Sequence, residues 1–131
     1  CTDPWSPKAI RSAMGATFSL PIVAVADWEA ATALGSGYLP QGDITVYAAD
    51  AAGKLPYYDA KFIHGRTAVV IGSEATGLST SVRRAAKSGA VRLISIPHAT
   101  GPHMESLNAA VAGSVVMFEA QRQKKTDYAN K

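Results

Sequence analysis

Thr67-Ala68-Val69-Val70-Ile71-Gly72-Ser73-Glu74-Ala75-Thr76-Gly77-Leu78-Ser79 is an apolar run that passes without a break into a polar loop holding two glycines. Residues 67–71 show no polar alternation, the pattern of a strand buried on both faces and therefore of a parallel sheet. Glycines just beyond such a strand allow backbone to come close to a ligand. Residues 80–88 then read as a helix closed by Gly89, with Arg83, Arg84 and Lys87 on its exposed side. A further apolar strand over 91–96 stops at Pro97, and a loop rich in Gly, Pro and His follows. The chain then enters a helix over about 106–123 that opens on Ser106-Leu107-Asn108. Strand–loop–helix joins of this kind collect unpaired backbone N–H groups, and α/β proteins place ligands there.

Working back toward the N-terminus, Asp3-Pro4-Trp5-Ser6-Pro7-Lys8 reads as a turn into a helix. Ser6 is its N-cap and Pro7 takes the first helical position, with the helix ending at Gly15. Lys8 and Arg11 share a face of that helix, which is either solvated or in contact with RNA. Residues 18–26 read as a buried strand with Pro21 near its start, and Asp27 as the cap of a short helix reaching Leu34. Gly35-Ser36-Gly37 follows a helix and lacks a third glycine, so it reads as a loop and not as a dinucleotide fingerprint. Residues 43–48 form the next strand. A polar connection over 50–61 follows, in which Tyr57 and Tyr58 either pack on the surface or stack on bases. In the last helix, Leu107, Val111, Val115 and Phe118 mark an apolar stripe. Strands and helices alternate, which predicts one α/β domain with a mainly parallel sheet and helices on both faces.

Composition narrows the function. Hydrophobic residues make up 47% of the 131 and charged residues 18%, the balance of a globular chain. A net charge of +3 suits a nucleic-acid partner and a basic enzyme equally. Cys1 is the single cysteine, so no disulfide framework forms within the chain, and an intracellular, cytoplasmic setting is expected. No apolar run approaches the roughly 20 residues of a membrane span. His98 and His103 share a loop, but no cysteine or carboxylate cluster joins them, so no metal centre is expected. Nucleophile-elbow, phosphate-loop and Cys–His patterns are absent from the sequence. Three features do converge on strand ends: Leu20-Pro21, the loop from Gly72 to Leu78, and the segment from Pro97 to Asn108.

These residues carry a family resemblance. Ile71-Gly72-Ser73-Glu74-Ala75-Thr76-Gly77-Leu78 resembles the glycine–glutamate motif of the SpoU (TrmH-like) RNA ribose methyltransferases of the SPOUT class. Ile96-Pro97 with Ser106-Leu107-Asn108-Ala109-Ala110-Val111-Ala112 resembles that family's C-terminal motif, and the segment from Asp3 to Arg11 with Gly15-Ala16 its middle portion. The resemblance implies a deep C-terminal trefoil knot, S-adenosylmethionine as methyl donor, a homodimer, and transfer to a ribose 2′-hydroxyl of structured RNA, either rRNA or tRNA. Carried over by position, Leu20, Gly72, Ile96, Pro97 and Leu107 bind the cofactor. Glu74, Ser106 and Asn108 belong to the catalytic neighbourhood, and Lys8 and Arg11 contact RNA. Residues 1–131 then form a SpoU-type methyltransferase domain that begins after the family's N-terminal strand–helix segment with its arginine. Ser73 stands where Asn is common in the family, and His98 where Met is usual. Two rival readings are a non-catalytic RNA-binding domain that keeps the cofactor pocket and an unrelated α/β nucleotide-binding module.

Overall fold

The central strand β1 (Ile44–Ala49) pairs in parallel with β3 (Arg66–Ile71) on one side and with β4 (Arg92–Ser95) on the other. A two-residue strand, β2 (Leu55–Pro56), adds in parallel to the far side of β4, giving the order β2-β4-β1-β3. Pro56 has no N–H to donate, which suits it to a sheet edge. This computed structural model describes residues 3–38, 44–63, 65–97 and 107–129. The chain passes from β1 out to β2 at one edge, crosses to β3 on the other flank of β1, and returns to β4 between β1 and β2. The C-terminal ends of β1, β3 and β4 therefore meet at a reversal of strand order, the usual ligand position in open parallel sheets.

Both faces of the sheet are covered. On one, Tyr47 and Ile94 pack with Ala60, Phe62 and Val116, and helix α4 (Ala109–Ala129) lies across them. On the other, Ala48 packs with Leu78, Val82 and Val91, under α3 (Thr80–Lys87) and Trp28 of α2 (Trp28–Tyr38). Period-two alternation along β1 sends Tyr47 and Ala48 to opposite cores, as a strand buried on both faces must. The expectation of a parallel sheet with helices on both faces holds.

Several local expectations need correction. Residues 18–26 do not form a strand. Ala16–Phe18 is a 3-10 turn, the chain beyond it is irregular, and Phe18, Leu20 and Val23 are 65–72% exposed. A strand needs a neighbour to take its N–H and C=O groups. Among the described residues no strand runs beside this segment, and Pro21 lacks a donor. Apolar composition alone was therefore an insufficient sign of burial.

Helix α1 (Pro7–Ser12) has the expected cap, Ser6 Oγ accepting from Ala9 N at 3.3 Å, but stops before the left-handed residues Met14 and Gly15. Asp27 caps α2 as expected, accepting from Ala30 N at 2.8 Å. The helix nevertheless continues through Gly35-Ser36-Gly37 to Tyr38 instead of ending at Leu34. Glycine costs a helix about 1 kcal/mol against alanine and does not by itself end one.

The last helix starts three residues late and runs longer than expected, from Ala109 to Ala129. Its phase also differs. The buried face carries Gly113, Val116 and Glu119, while Val111 and Phe118 of the expected stripe are 49% and 76% exposed. Two apolar stripes lie on this helix, and the small-residue one faces the sheet. A Cβ on Gly113 would sit 3.6 Å from Ile71 Cγ1, so the helix packs closely on β3 there.

The buried polar groups on that face are satisfied. Gln123 Nε2 donates to Ala60 O at 2.9 Å and to Glu119 Oε1 at 2.8 Å, and its Oε1 accepts from Phe62 N at 3.0 Å. The Arg122 guanidinium donates to both Glu119 oxygens and, with Gln123, holds that carboxyl below its ordinary range against the opposing effect of burial. Among the described residues no helix is long and apolar enough to cross a membrane.

Candidate functional site

A cleft of about 260 Å³ opens at the C-terminal ends of β1, β3 and β4. Its walls include Asp50 after β1, Gly72 and Glu74 after β3, Ile96 after β4, and Leu107 before α4. The volume lies just below the roughly 300–1,000 Å³ typical of small-molecule sites.

The glycine loop is closed on itself. Ser73 N donates to Gly77 O at 3.0 Å and Gly77 N to Ser73 O at 2.8 Å, and Gly77 adopts a left-handed φ of 66°. Ser73 Oγ accepts from Ala75 N at 3.3 Å, which tightens the turn further. The loop is anchored at its end by Leu78, which is buried in the α3-side core. Gly72 packs against this turn: a Cβ there would lie 2.6 Å from Gly77 C and 2.8 Å from Leu78 N. The close approach inferred from the sequence is real, but the backbone occupying that space is the loop's own.

Glu74 stands on the exposed tip of the turn. Asn108 Nδ2 donates a hydrogen bond to Glu74 Oε1, joining residues 34 apart in sequence. Asn108 is also the N-cap of α4, its Oδ1 accepting from Ala110 N at 3.0 Å and Val111 N at 3.3 Å. One side chain thus caps the last helix and orients the glutamate. Glu74 itself neither caps α3 nor pairs with an arginine in any described contact. Ser79 caps α3, its Oγ accepting from Val82 N at 3.4 Å.

Of the residues singled out from the sequence, Gly72, Glu74, Ile96 and Leu107 line the cleft together, and Asn108 joins through Glu74. Leu20 and Pro97 are exposed and do not line it. Lys8 and Arg11 lie exposed on α1. Ser106, His98 and His103 fall outside the described residues. Sequence reasoning missed Asp50 and Arg83. Asp50 directly follows β1, so the same strand-end rule that selects Gly72 also reaches it. Arg83, expected on the solvent side of α3, turns its guanidinium to Asp50 Oδ2 at 3.0 Å and to Leu78 O at 3.3 Å.

The chemistry of the lining is selective. Ala49, Ile71, Leu78, Ile96 and Leu107 offer apolar surface, while Asp50 and Glu74 are carboxylates. The one arginine of the lining is paired with Asp50. Such a wall suits an uncharged or cationic ligand better than a polyphosphate, which seeks a cationic cradle. Among the described residues no group of His, Cys, Asp and Glu is placed to hold a metal ion.

A second concavity, about 560 Å³, runs along the outer face of α4 between Tyr57, Val111, Val115 and Phe118, with Glu119 and Arg122 at one end. Tyr57 therefore borders an apolar groove, and Tyr58 is half exposed beside it with the rings 5.3 Å apart.

The fold agrees with that of known proteins. The family model described as the SpoU rRNA Methylase family matches residues 1–118. The mitochondrial rRNA methyltransferase 3 of Homo sapiens is 31% identical, over 94% of this chain and 39% of that protein. The 23S rRNA (uridine(2479)-2'-O)-methyltransferase of Streptomyces viridochromogenes is 35% identical, over 93% of this chain and 40% of that protein. Among solved structures, the SpoU methyltransferase AviRb of Streptomyces viridochromogenes in complex with the cofactor AdoMet superposes with a TM-score of 0.79 and 32% identity. That match covers 95% of this chain and 44% of AviRb. The chain spans about two fifths of the length of these curated relatives.

Proposed function

Since this chain belongs to the SpoU rRNA methylase family, we propose that it forms the cofactor-binding part of an S-adenosylmethionine-dependent RNA methyltransferase acting on a ribose 2′-hydroxyl of rRNA or tRNA. The observation that carries this reading is the hydrogen bond between Asn108 and Glu74, which joins the two motifs at the rim of the cleft. When bound, S-adenosylmethionine supplies an activated methyl on a sulfonium, and so needs neither a metal nor a phosphate cradle. The apolar walls of the cleft and the Glu74 carboxylate at its rim fit such a ligand.

In this reading Gly72, Ile96 and Leu107 hold the donor, with Leu20 and Pro97 nearby. Glu74 accepts a hydrogen bond from the attacking hydroxyl and helps to take its proton, and Asn108 keeps the Glu74 carboxylate in place. Ser106 belongs to the same neighbourhood. Holding donor and hydroxyl in line is the principal source of rate. Lys8 and Arg11, exposed on α1, present positive charge to the RNA backbone.

The family's homodimer and deep C-terminal trefoil knot form part of the same proposal. The exposed Val111, Met117 and Phe118 of α4 supply an apolar face suited to a second subunit. Residues 1–131 are read as the methyltransferase domain of a longer protein. A cytoplasmic setting is kept from the single cysteine, although one of the relatives above is mitochondrial.

The test is methyl transfer by the full-length protein to RNA. Glu74→Ala is expected to lower the rate about 100-fold, within the ~10²–10⁴ that proton-transfer groups contribute. Asn108→Ala is expected to act in the same direction and also to cost about 1 kcal/mol of stability through the lost cap. Both variants should bind S-adenosylmethionine within a few-fold of the native protein. Unchanged transfer by both would remove Glu74 and Asn108 from the mechanism.

A further inference from the structure

We infer that Arg83 is a positioning residue for the cleft: its single guanidinium ties the end of β1 to the end of the glycine loop and sets the distance between the two walls. The geometric part stands on the fold alone, and its effect on cofactor affinity rests on the proposed function.

Asp50 is the fixed end of the tie. Its side chain is only 11% exposed, and its backbone N donates to Ile94 O at 3.0 Å, which fastens it to β4. A carboxylate that buried requires partners. Asp50 Oδ1 accepts from Ala52 N at 2.9 Å, and Oδ2 faces Arg83 Nη1 at 3.0 Å. The other end is the glycine loop, where Arg83 Nε donates to Leu78 O at 3.3 Å. Arg83 Nη2 lies 3.2 Å from the place a Cβ on Gly77 would occupy, so the guanidinium also rests against the left-handed turn.

Asp50 and the loop over 72–78 line the same cleft. They belong to different strand ends, and among the described side chains Arg83 is the one that bonds to both. A planar fork with separate donors for the two acceptors fixes their spacing in a way a lone ammonium does not. The Arg83 side chain is 48% exposed, so the ion pair itself adds little to global stability. Its consequence is local.

The full-length protein is compared with Arg83→Ala, Arg83→Lys, Asp50→Asn and the double variant Arg83→Ala/Asp50→Asn. Two readouts are used: hydrogen exchange over residues 73–78 without ligand, and calorimetry with S-adenosylhomocysteine. Arg83→Ala is expected to speed exchange at Ser73 and Gly77 and to weaken S-adenosylhomocysteine binding about tenfold, less than the ~10²-fold that a 1 Å misplacement costs at a reacting centre. The thermal midpoint should fall by a few degrees at most, since Asp50 keeps its hydrogen bond from Ala52 N. Arg83→Lys should recover only part of both effects, because it reaches one acceptor. The double variant should bind no more weakly than Arg83→Ala, since Asp50 acts on the glycine loop through the Arg83 guanidinium. Unchanged loop exchange in Arg83→Ala, or losses that multiply in the double variant, would overturn the inference. If the native protein itself binds no S-adenosylhomocysteine, the cofactor reading fails, and the exchange comparison still decides whether Arg83 braces the loop.

Discussion

Gly72→Val is expected to abolish detectable S-adenosylhomocysteine binding while the chain still folds. A Cβ at residue 72 would meet Gly77 C at 2.6 Å, Gly77 O at 2.8 Å and Leu78 N at 2.8 Å. All three are backbone atoms of a turn closed by two hydrogen bonds between Ser73 and Gly77. No flexible side chain can move aside, so the turn must open or β3 must shift. Overpacking of this kind costs about 1–3 kcal/mol, and here the displaced element is a wall of the cleft. Valine adds two further methyls to the clash.

Ile96→Ala provides the contrast. Ile96 is partly buried at the opposite wall, and its truncation leaves the backbone of the cleft in place. Binding should weaken only a few-fold. Circular dichroism and calorimetry on the two variants check the ordering, and native-like binding by Gly72→Val would contradict the close packing at this position.

The second large effect concerns stability. Phe62→Ala is expected to destabilise the fold by about 3–5 kcal/mol, the range for a buried phenylalanine. Phe62 is fully buried, with its ring 5.1 Å from Tyr47 at 61° and its backbone N bonded to Gln123 Oε1. It therefore joins three parts of the structure: the central strand, the connection leading to β3, and α4. Removing the ring leaves a cavity where these meet and strips Tyr47 of its aromatic neighbour. At about 2–8 °C per kcal/mol for domains near this size, the midpoint should fall by at least about 6 °C. Tyr58→Ala, at a half-exposed ring, should remain within about 0.5 kcal/mol of the native chain. Chemical denaturation followed by tryptophan fluorescence measures both. A loss below 1 kcal/mol for Phe62→Ala would mean that the core is organised otherwise.

The strands were legible where neighbouring residues alone decided them. β1, β3 and β4 stand within a residue or two of their expected bounds because each is an apolar run stopped by a turn or a helix cap. Residues 18–26 looked equally apolar and were misread, because strand formation depends on a neighbour that no local pattern reveals. The glycines at 35 and 37 were read as a break, yet α2 runs through them. On α4 the stripe through Val111 and Phe118 stood out in the sequence, yet the face that packs on the sheet carries Gly113 against Ile71.

The candidate site followed the same division. Gly72, Glu74, Ile96, Leu107 and Asn108 were named through the family's motifs, which sit at strand ends and at the start of the last helix. The link between Asp50 and Arg83 was not, because it depends on β3 lying beside β1 in the sheet. Sheet order is a property of the whole chain, and α3 carries several basic residues with nothing local to distinguish Arg83 from Arg84 or Lys87.

We propose the cleft at the ends of β1, β3 and β4 as a methyl-donor pocket. Titration calorimetry of the full-length native protein with S-adenosylmethionine and with S-adenosylhomocysteine tests it most directly. Saturable binding of both ligands, lost in Gly72→Val, is the expected result; a folded native protein that takes up neither ligand would contradict it.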